Sequence, residues 1–443
     1  MEAIGQGPHR CRLLRPERKE IYAQEDRSLG DGRQLLVFVI ISVDRIDGKN
    51  HKVEAVKEKL PINPDVLVWA RKSANLLEED VASKMNKSLD VIKAWEKGDT
   101  SPTYIQLETL AYTVYKRPVA IFFFPEPPEE TTPKKSFRTL PETVIEEFPP
   151  NFLKVFRRGQ AMQINLEELT NGQNPMPKKI FRDLSFDLHS NVGIIVDKVR
   201  KYLGVDIKTQ ISWSSTETAF KKWRSAVEEK GIFVFKEAFR EDEISGFCLY
   251  HQEFPIIYIN NSMSKTRQIF TLFHELTHLL FKTGGVDKKD DTFIGRMRGD
   301  NRRIEVLCNR FAGELLVPKG DFDTVISGLR ISEQTIEKLA NRYKVSRELI
   351  LRKCLDRGLI DQAYYEENSH RWIKEAREIA EQRTGGNYYS NITTYLGGSY
   401  LNLVFKGYYQ KRFAPEQLAD YLGIKVTSIA GLEVAFFGGG EAE

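Results

Sequence analysis

Cysteine is scarce in this chain: four in 443 residues, Cys11, Cys248, Cys308 and Cys354, with no two in a CxxC spacing. That excludes a disulfide framework and a cysteine-rich zinc knuckle, and it reads as a set of reduced thiols. Long apolar runs are missing as well. The best candidate, Leu35 to Val43, is about half of the roughly 20 residues that a membrane-spanning helix needs. Charged Asp44, Arg45 and Asp47 follow it, where a secretory signal would place small residues, so the sequence predicts a cytoplasmic protein with no membrane partner. An excess of one charge is also absent: 66 Lys+Arg against 62 Asp+Glu leaves +4, too little to demand a polyanionic partner. With 41% hydrophobic and 29% charged residues the chain is not disordered, and its length suffices for two or three cores.

What is present divides along the chain. Residues 1–50 mix glycine and scattered charge without a period, apart from the run at Leu35, and are expected to be an extension of no assigned role. Residues 51–124 turn helical from Pro64, as four or five short helices broken at Asn75, Asn86, Gly98 to Pro102 and Arg117-Pro118. Pro125 to Lys135 (PEPPEETTPKK) has the composition of an extended linker. Residues 136–320 start mostly helical, with a break at Asn171 to Pro177, and then change period. Three β-like runs follow at Gly231 to Phe235, Gly246 to Tyr250 and Pro255 to Ile259, the last two an antiparallel pair around His251 to Phe254. A helix from Ser264 to Lys282 is stopped by Gly284-Gly285, a polar loop spans Val286 to Asp300, and a second helix runs from Arg302 to Val317. Residues 321–443 read as a helical C-terminal region. A Leu-Ala pair precedes a helix break at Leu110-Ala111, Leu339-Ala340 and Leu418-Ala419, the pattern by which two helices of a helix-turn-helix bury a shared face.

The chemistry concentrates in His274-Glu275-Leu276-Thr277-His278, a HExxH inside a helix. At 3.6 residues per turn the two imidazoles lie one turn apart on one face, within reach of one ion. Ile269, Phe270, Phe273, Leu276, Leu280 and Phe281 form a wide apolar side, leaving Thr271, His274, Glu275 and His278 on the remaining strip. A buried strip of two histidines and a glutamate needs a partner, and a divalent metal supplies one. A catalytic zinc takes three protein ligands, so a third is required. The downstream helix offers Glu305, Cys308 and Asn309, with His251 and His370 as outside candidates. Glu305 borders the apolar stripe of Ile304, Leu307, Cys308, Phe311 and Leu315, where an unpaired carboxylate would be partly desolvated, while Cys308 lies near the stripe's centre. The strand at Pro255 to Ile259 is a candidate to align a peptide by pairing with it.

The segment from Phe270-Thr271 through the HExxH, with Glu305-Val-Leu-Cys-Asn309-Arg-Phe311-Ala312-Gly-Glu314-Leu-Leu-Val-Pro318, resembles the ImmA/IrrE metallopeptidases. The resemblance implies zinc held by His274, His278 and Glu305, with Glu275 as catalytic base. It further implies a protein substrate, a transcriptional repressor of the XRE type. Thr277 stands where glycine is common and Cys308 where alanine is usual, and neither removes a ligand.

The N-terminal domain is similar to the XRE-type helix-turn-helix, with Val66 to Arg71 and Glu78 to Ala82 as its first two helices. Ser88 to Gly98, carrying Ile92, Trp95 and Glu96, is the third. That resemblance implies double-stranded DNA as a partner, met by Lys87, Ser88, Asp90 and Lys93. Residues 51–125 nevertheless carry 11 Lys+Arg and 10 Asp+Glu, almost neutral, and Asp90 would face phosphates. The expected fold is α+β and mostly helical: a five-helix N-terminal domain, a zincin-like metallopeptidase domain with a small antiparallel sheet, and the helical C-terminal region.

Overall fold

A computed structural model describes residues 21–25, 36–40, 60–137, 140–289, 294–295, 297–380 and 387–438. Residues 1–58 and 59–443 are two separate units. In the first, the described residues form an antiparallel hairpin of β1 (Ile21–Glu25) and β2 (Leu36–Ile40), with Ala23 opposite Phe38. The apolar run at Leu35 is therefore largely a strand. The rest of the expected extension lies outside the described residues.

The second unit opens with α1 (Pro64–Lys72), α2 (Glu78–Met85), α3 (Leu89–Glu96) and α4 (Tyr104–Glu108). The last continues as a wider turn over Thr109–Tyr115, and a 3-10 turn covers Val119–Phe123. Pro64 stands at the first turn of α1, where its missing N–H costs nothing, and the Asn63 side chain caps that turn by accepting from the Asp65 N–H at 2.9 Å. Val66, Val81, Ile92, Trp95, Leu110 and Phe122 bury together as a core of their own. Glu96 grips Arg71 with both carboxylate oxygens, at 2.7 and 2.8 Å.

The remaining chain is layered on a four-stranded sheet. Among the helices that precede it are α5 (Pro150–Thr170), α6 (Val192–Leu203) and α7 (Thr216–Glu228). Then come β3 (Phe233–Glu237), β4 (Ile244–Leu249), β5 (Ile256–Asn260), α8 (Lys265–Leu280) and β6 (Gly285–Lys288). Next are α9 (Gly299–Leu316), α10 (Glu333–Tyr343), α11 (Arg347–Leu355), α12 (Tyr388–Leu396), α13 (Gly398–Tyr409), α14 (Pro415–Leu422) and α15 (Ile429–Phe437). The chain is α+β and mostly helical, as its composition and periods predict.

The strand order is β3-β5-β4-β6. The expected antiparallel pair is present, with Cys248 opposite Ile257. The sheet is mixed, however, not antiparallel: β3 runs alongside β5 in the same direction, with Phe235 opposite Tyr258, because the chain enters β5 by a hairpin from β4 and leaves β3 on its far side. A second correction concerns β6, which occupies the start of the expected polar loop and pairs antiparallel with β4, Phe247 facing Val286. A third follows from the strand order. Residues 255–259 are bonded to neighbours on both sides, so this strand has no open edge at which to receive a peptide.

Both faces of the sheet are covered. Val234, Cys248, Ile257 and Ile259 point toward α8, α9, α10 and α11, while Phe233, Phe247, Ile256 and Tyr258 point toward α5 and the last helices. The alternation is the strand period itself. The C-terminal region is divided between these cores: Ile336, Tyr343 and Ile350 enter the first, and Tyr400, Leu401, Leu418 and Leu432 the second. No helix among the described residues is long and apolar enough to cross a membrane.

Candidate metal centre

Helix α8 begins at Ser264, whose hydroxyl accepts from the Arg267 N–H at 3.3 Å, and from Thr271 to Leu280 every residue is buried. His274 and His278 therefore project from a helix enclosed by the sheet on one side and α9 on the other. Their Nε2 atoms are 3.2 Å apart. Glu305 of α9 completes a triangle, with one carboxylate oxygen 3.4 Å from the Nε2 of His274 and the other 3.4 Å from that of His278. Donors bound tetrahedrally at about 2.0–2.1 Å from zinc stand about 3.3–3.4 Å from one another. The three side chains thus hold the spacing of a zinc tripod.

Electrostatics points the same way. Glu275 and Glu305 are fully buried, and none of their four carboxylate oxygens has a hydrogen-bond partner. An uncompensated buried carboxylate is costly, and a divalent cation is its compensation. Burial pushes the Glu275 carboxyl up, against the pull of the two imidazoles. Burial would also raise Glu305, but His278 and His274 overcome it and hold that carboxyl down at about 2, ionised and ready to ligate.

Second contacts aim the donors. Asn309 Oδ1 lies 2.9 Å from His274 Nδ1, which, with that nitrogen protonated, turns the Nε2 lone pair inward. Thr283 Oγ1 stands 3.4 Å from Nδ1 of His278. The Thr277 hydroxyl, where the family pattern favours glycine, donates to the Phe273 carbonyl at 2.7 Å and stays out of the site.

Two residues emerge that sequence reasoning missed. Asp287 of β6 is buried, accepting from Thr271 Oγ1 at 2.6 Å and pairing with Arg267 at 2.6 Å, so it ties the strand to the histidine-bearing helix one turn before His274. Gly285 lies flat against His278, and a Cβ there would collide with the imidazole ring. The Gly284-Gly285 pair that marks a helix stop thus also makes room for a ligand.

The other candidates separate clearly. Cys308 borders the site, its Sγ within 4.8 Å of both imidazole donors. Burial and the neighbouring Glu305 and Glu275 carboxylates push its thiol up. His251 caps the β4–β5 turn, its Nδ1 accepting from the N–H groups of Glu253 and Phe254 while Nε2 meets Glu167 at 3.0 Å. His370 lies exposed in the helix Gln362–Ala380. Lys87, Ser88, Asp90 and Lys93 are all exposed around the start of α3, with Lys93 3.9 Å from Glu78.

Residues 227–355 match the family model of the IrrE N-terminal-like domain, Peptidase_M78. A stretch of 99 residues, 22% of the chain, is 33% identical to the radiation response metalloprotease IrrE of Deinococcus deserti. It covers 34% of that protein, so the chain spans about a third of the length of the curated relative it matches. A solved structure, a Mycobacterium tuberculosis transcriptional regulator, aligns over 37% of this chain and 45% of its own at 17% identity, with a TM-score of 0.26.

Proposed function

We propose that this chain, whose residues 227–355 carry a metalloprotease domain of the ImmA/IrrE family, is a zinc-dependent endopeptidase that cleaves a transcriptional repressor of the XRE type. The observation that supports this most is the 3.2–3.4 Å triangle of His274, His278 and Glu305 with a second carboxylate, Glu275, buried beside it and outside the triangle. These three residues would hold the metal. Zinc in such a donor set supplies Lewis-acid activation of water at neutral pH.

The protein's own groups do the rest. Glu275, adjacent to His274 yet outside the triangle, takes the proton from the attacking water and delivers it to the leaving amine. Asn309 fixes the tautomer of His274, and the Asp287–Arg267 pair fixes the strand that packs on His278. On this reading the N-terminal helices bring the enzyme to double-stranded DNA through Lys87, Ser88, Asp90 and Lys93, placing it beside DNA-bound repressors.

A second reading, a DNA-binding regulator with a structural or sensory zinc, is favoured by one observation: His274, Glu275, His278 and Glu305 are 0–2% exposed. The two readings part at Glu275. Metal analysis of the purified chain should give about one zinc, lost when His274 and His278 are both replaced by alanine. Glu275→Gln should keep zinc and fold but lose cleavage of co-incubated XRE-type repressors. Full cleavage by that variant removes the proposed base, and absence of cleavage by the wild type favours the structural reading.

A further inference from the structure

Away from the candidate metal centre, the buried amine of Lys236 stands out among the described residues because it has no hydrogen-bond partner. Lys236 of β3 is 2% exposed, and its Nζ makes no hydrogen bond. The amine rests 4.5 Å from the centroid of the Phe220 ring on α7. Lys265, the first residue of α8, brings a second ammonium to the same ring at 5.6 Å. Burial and the adjoining Lys265 push the Lys236 amine down to about 6.

Its charged neighbours are basic apart from one carboxylate. Arg224 of α7 faces the cluster as well, but it is fully engaged, with Glu228 at 2.9 Å, the Thr394 carbonyl at 2.7 Å and the Val234 carbonyl. Glu217, at the second position of α7, is the carboxylate that faces Lys236, and it pairs with Lys265 at 3.0 Å. Stepping along β3 from Val234 to Lys236 moves back along α7 from Arg224 to Phe220, so α7 begins near the carboxyl end of β3. Helix α8 begins five residues after the carboxyl end of the parallel strand β5. Two helix N-termini therefore meet at the carboxyl ends of two parallel strands, with the Lys236 amine, which has no hydrogen-bond partner, beside them. Helix starts present N–H groups without helical partners and a positive dipole end, and crevices at the carboxyl ends of parallel strands are where open sheets take ligands.

We propose that this cluster is an oxyanion site, in which Lys236 and Lys265, with the first-turn N–H groups of α7 and α8 that the Ser215 and Ser264 caps leave unpaired, take a phosphate group. Lys265 lies nine residues before His274, about 13 Å along α8, so the ligand acts as an effector on the metal-bearing helix and not at the reacting atoms. Its chemistry is that of free phosphate or of a phosphate monoester. The proposal stands independently of the peptidase reading.

The test uses the full chain, titrated with inorganic phosphate, with adenosine monophosphate, and with chloride at equal ionic strength, read by thermal unfolding and by phosphorus NMR. Phosphate or the monoester should raise the unfolding temperature saturably over chloride and broaden the phosphorus resonance. Tighter binding of the monoester assigns the ester as ligand, and tighter binding of inorganic phosphate assigns the free ion. Lys236→Met, which keeps the stem and drops the charge, should abolish the saturable response. Lys265→Ala, on the partly exposed residue, should weaken it at least tenfold and serves where the buried variant fails to fold. No saturable response in the wild type, or wild-type affinity in the variants, overturns the proposal and leaves Lys236 a packed neutral amine.

Discussion

Two helix pairs in this molecule close with the same turn and meet opposite fates. In α2–α3, Asn86 adopts a left-handed backbone at φ 50 and the Lys87 N–H donates to the Ala82 carbonyl at 3.0 Å before Ser88 starts the next helix. In α10–α11, Lys344 takes the same conformation at φ 59 and the Val345 N–H donates to the Ala340 carbonyl at 3.0 Å before Ser346. The second helix differs. Around the start of α3, Lys87, Ser88, Asp90 and Lys93 are exposed, whereas α11 buries Leu349, Ile350, Leu351, Lys353 and Cys354. Lys353 reaches Glu314 of α9 at 2.6 Å, and Tyr365 and Trp372 of the helix Gln362–Ala380 cover the outer side through Arg352 and Arg347. A helix-turn-helix sequence specifies the turn, and what packs on the second helix decides whether a face remains to bind anything.

The contrast can be broken most forcefully at Ile350. Truncation to alanine should cost about 2–5 kcal/mol by denaturant unfolding, since the side chain is fully buried in the core that also holds α8 and α9. Next, Lys353→Met removes the bond to Glu314, which keeps only the Lys319 N–H, and should cost about 1–3 kcal/mol in the same assay, the worth of a charged hydrogen bond. The gentlest test is on α3. Lys87→Ala with Lys93→Ala should leave stability within about 0.5 kcal/mol, yet weaken DNA binding and flatten its salt slope by about 2. Arg352→Ala, at the exposed position of α11, should leave that binding unchanged in gel-shift titrations. DNA binding that depends on Arg352 and ignores Lys93 would reverse the comparison.

Much of the centre was legible because it is local. The one-turn spacing of His274 and His278, the apolar width of their helix and the bordering position of Glu305 need no knowledge of the rest of the chain. What was hidden is non-local. Gly285-Val-Asp-Lys288 has little β-propensity and becomes a strand because β4 offers it an edge. The parallel pairing of β3 with β5 joins residues 23 positions apart, such as Phe233 and Ile256, which no period encodes. Lys236 was invisible for the same reason: in the sequence it is one lysine among many, and only the approach of Phe220 and Lys265 makes it unusual.

The division of the last helices between the two cores has a temporal side. Tyr400 receives a hydrogen bond from Asn165, 235 residues earlier, and Tyr421 donates to Glu168 across 253. During synthesis at about 5–20 residues per second, α5 and the aromatic face of the sheet wait roughly 10–50 s for the helices that cover them. Through that interval Phe247 already has the α5 rings of Phe152 and Phe156 against it, while Phe235 lacks the Tyr400 ring that finally covers it. The nascent chain therefore passes through a partly roofed sheet, completed only when the helices carrying Tyr400 and Tyr421 emerge.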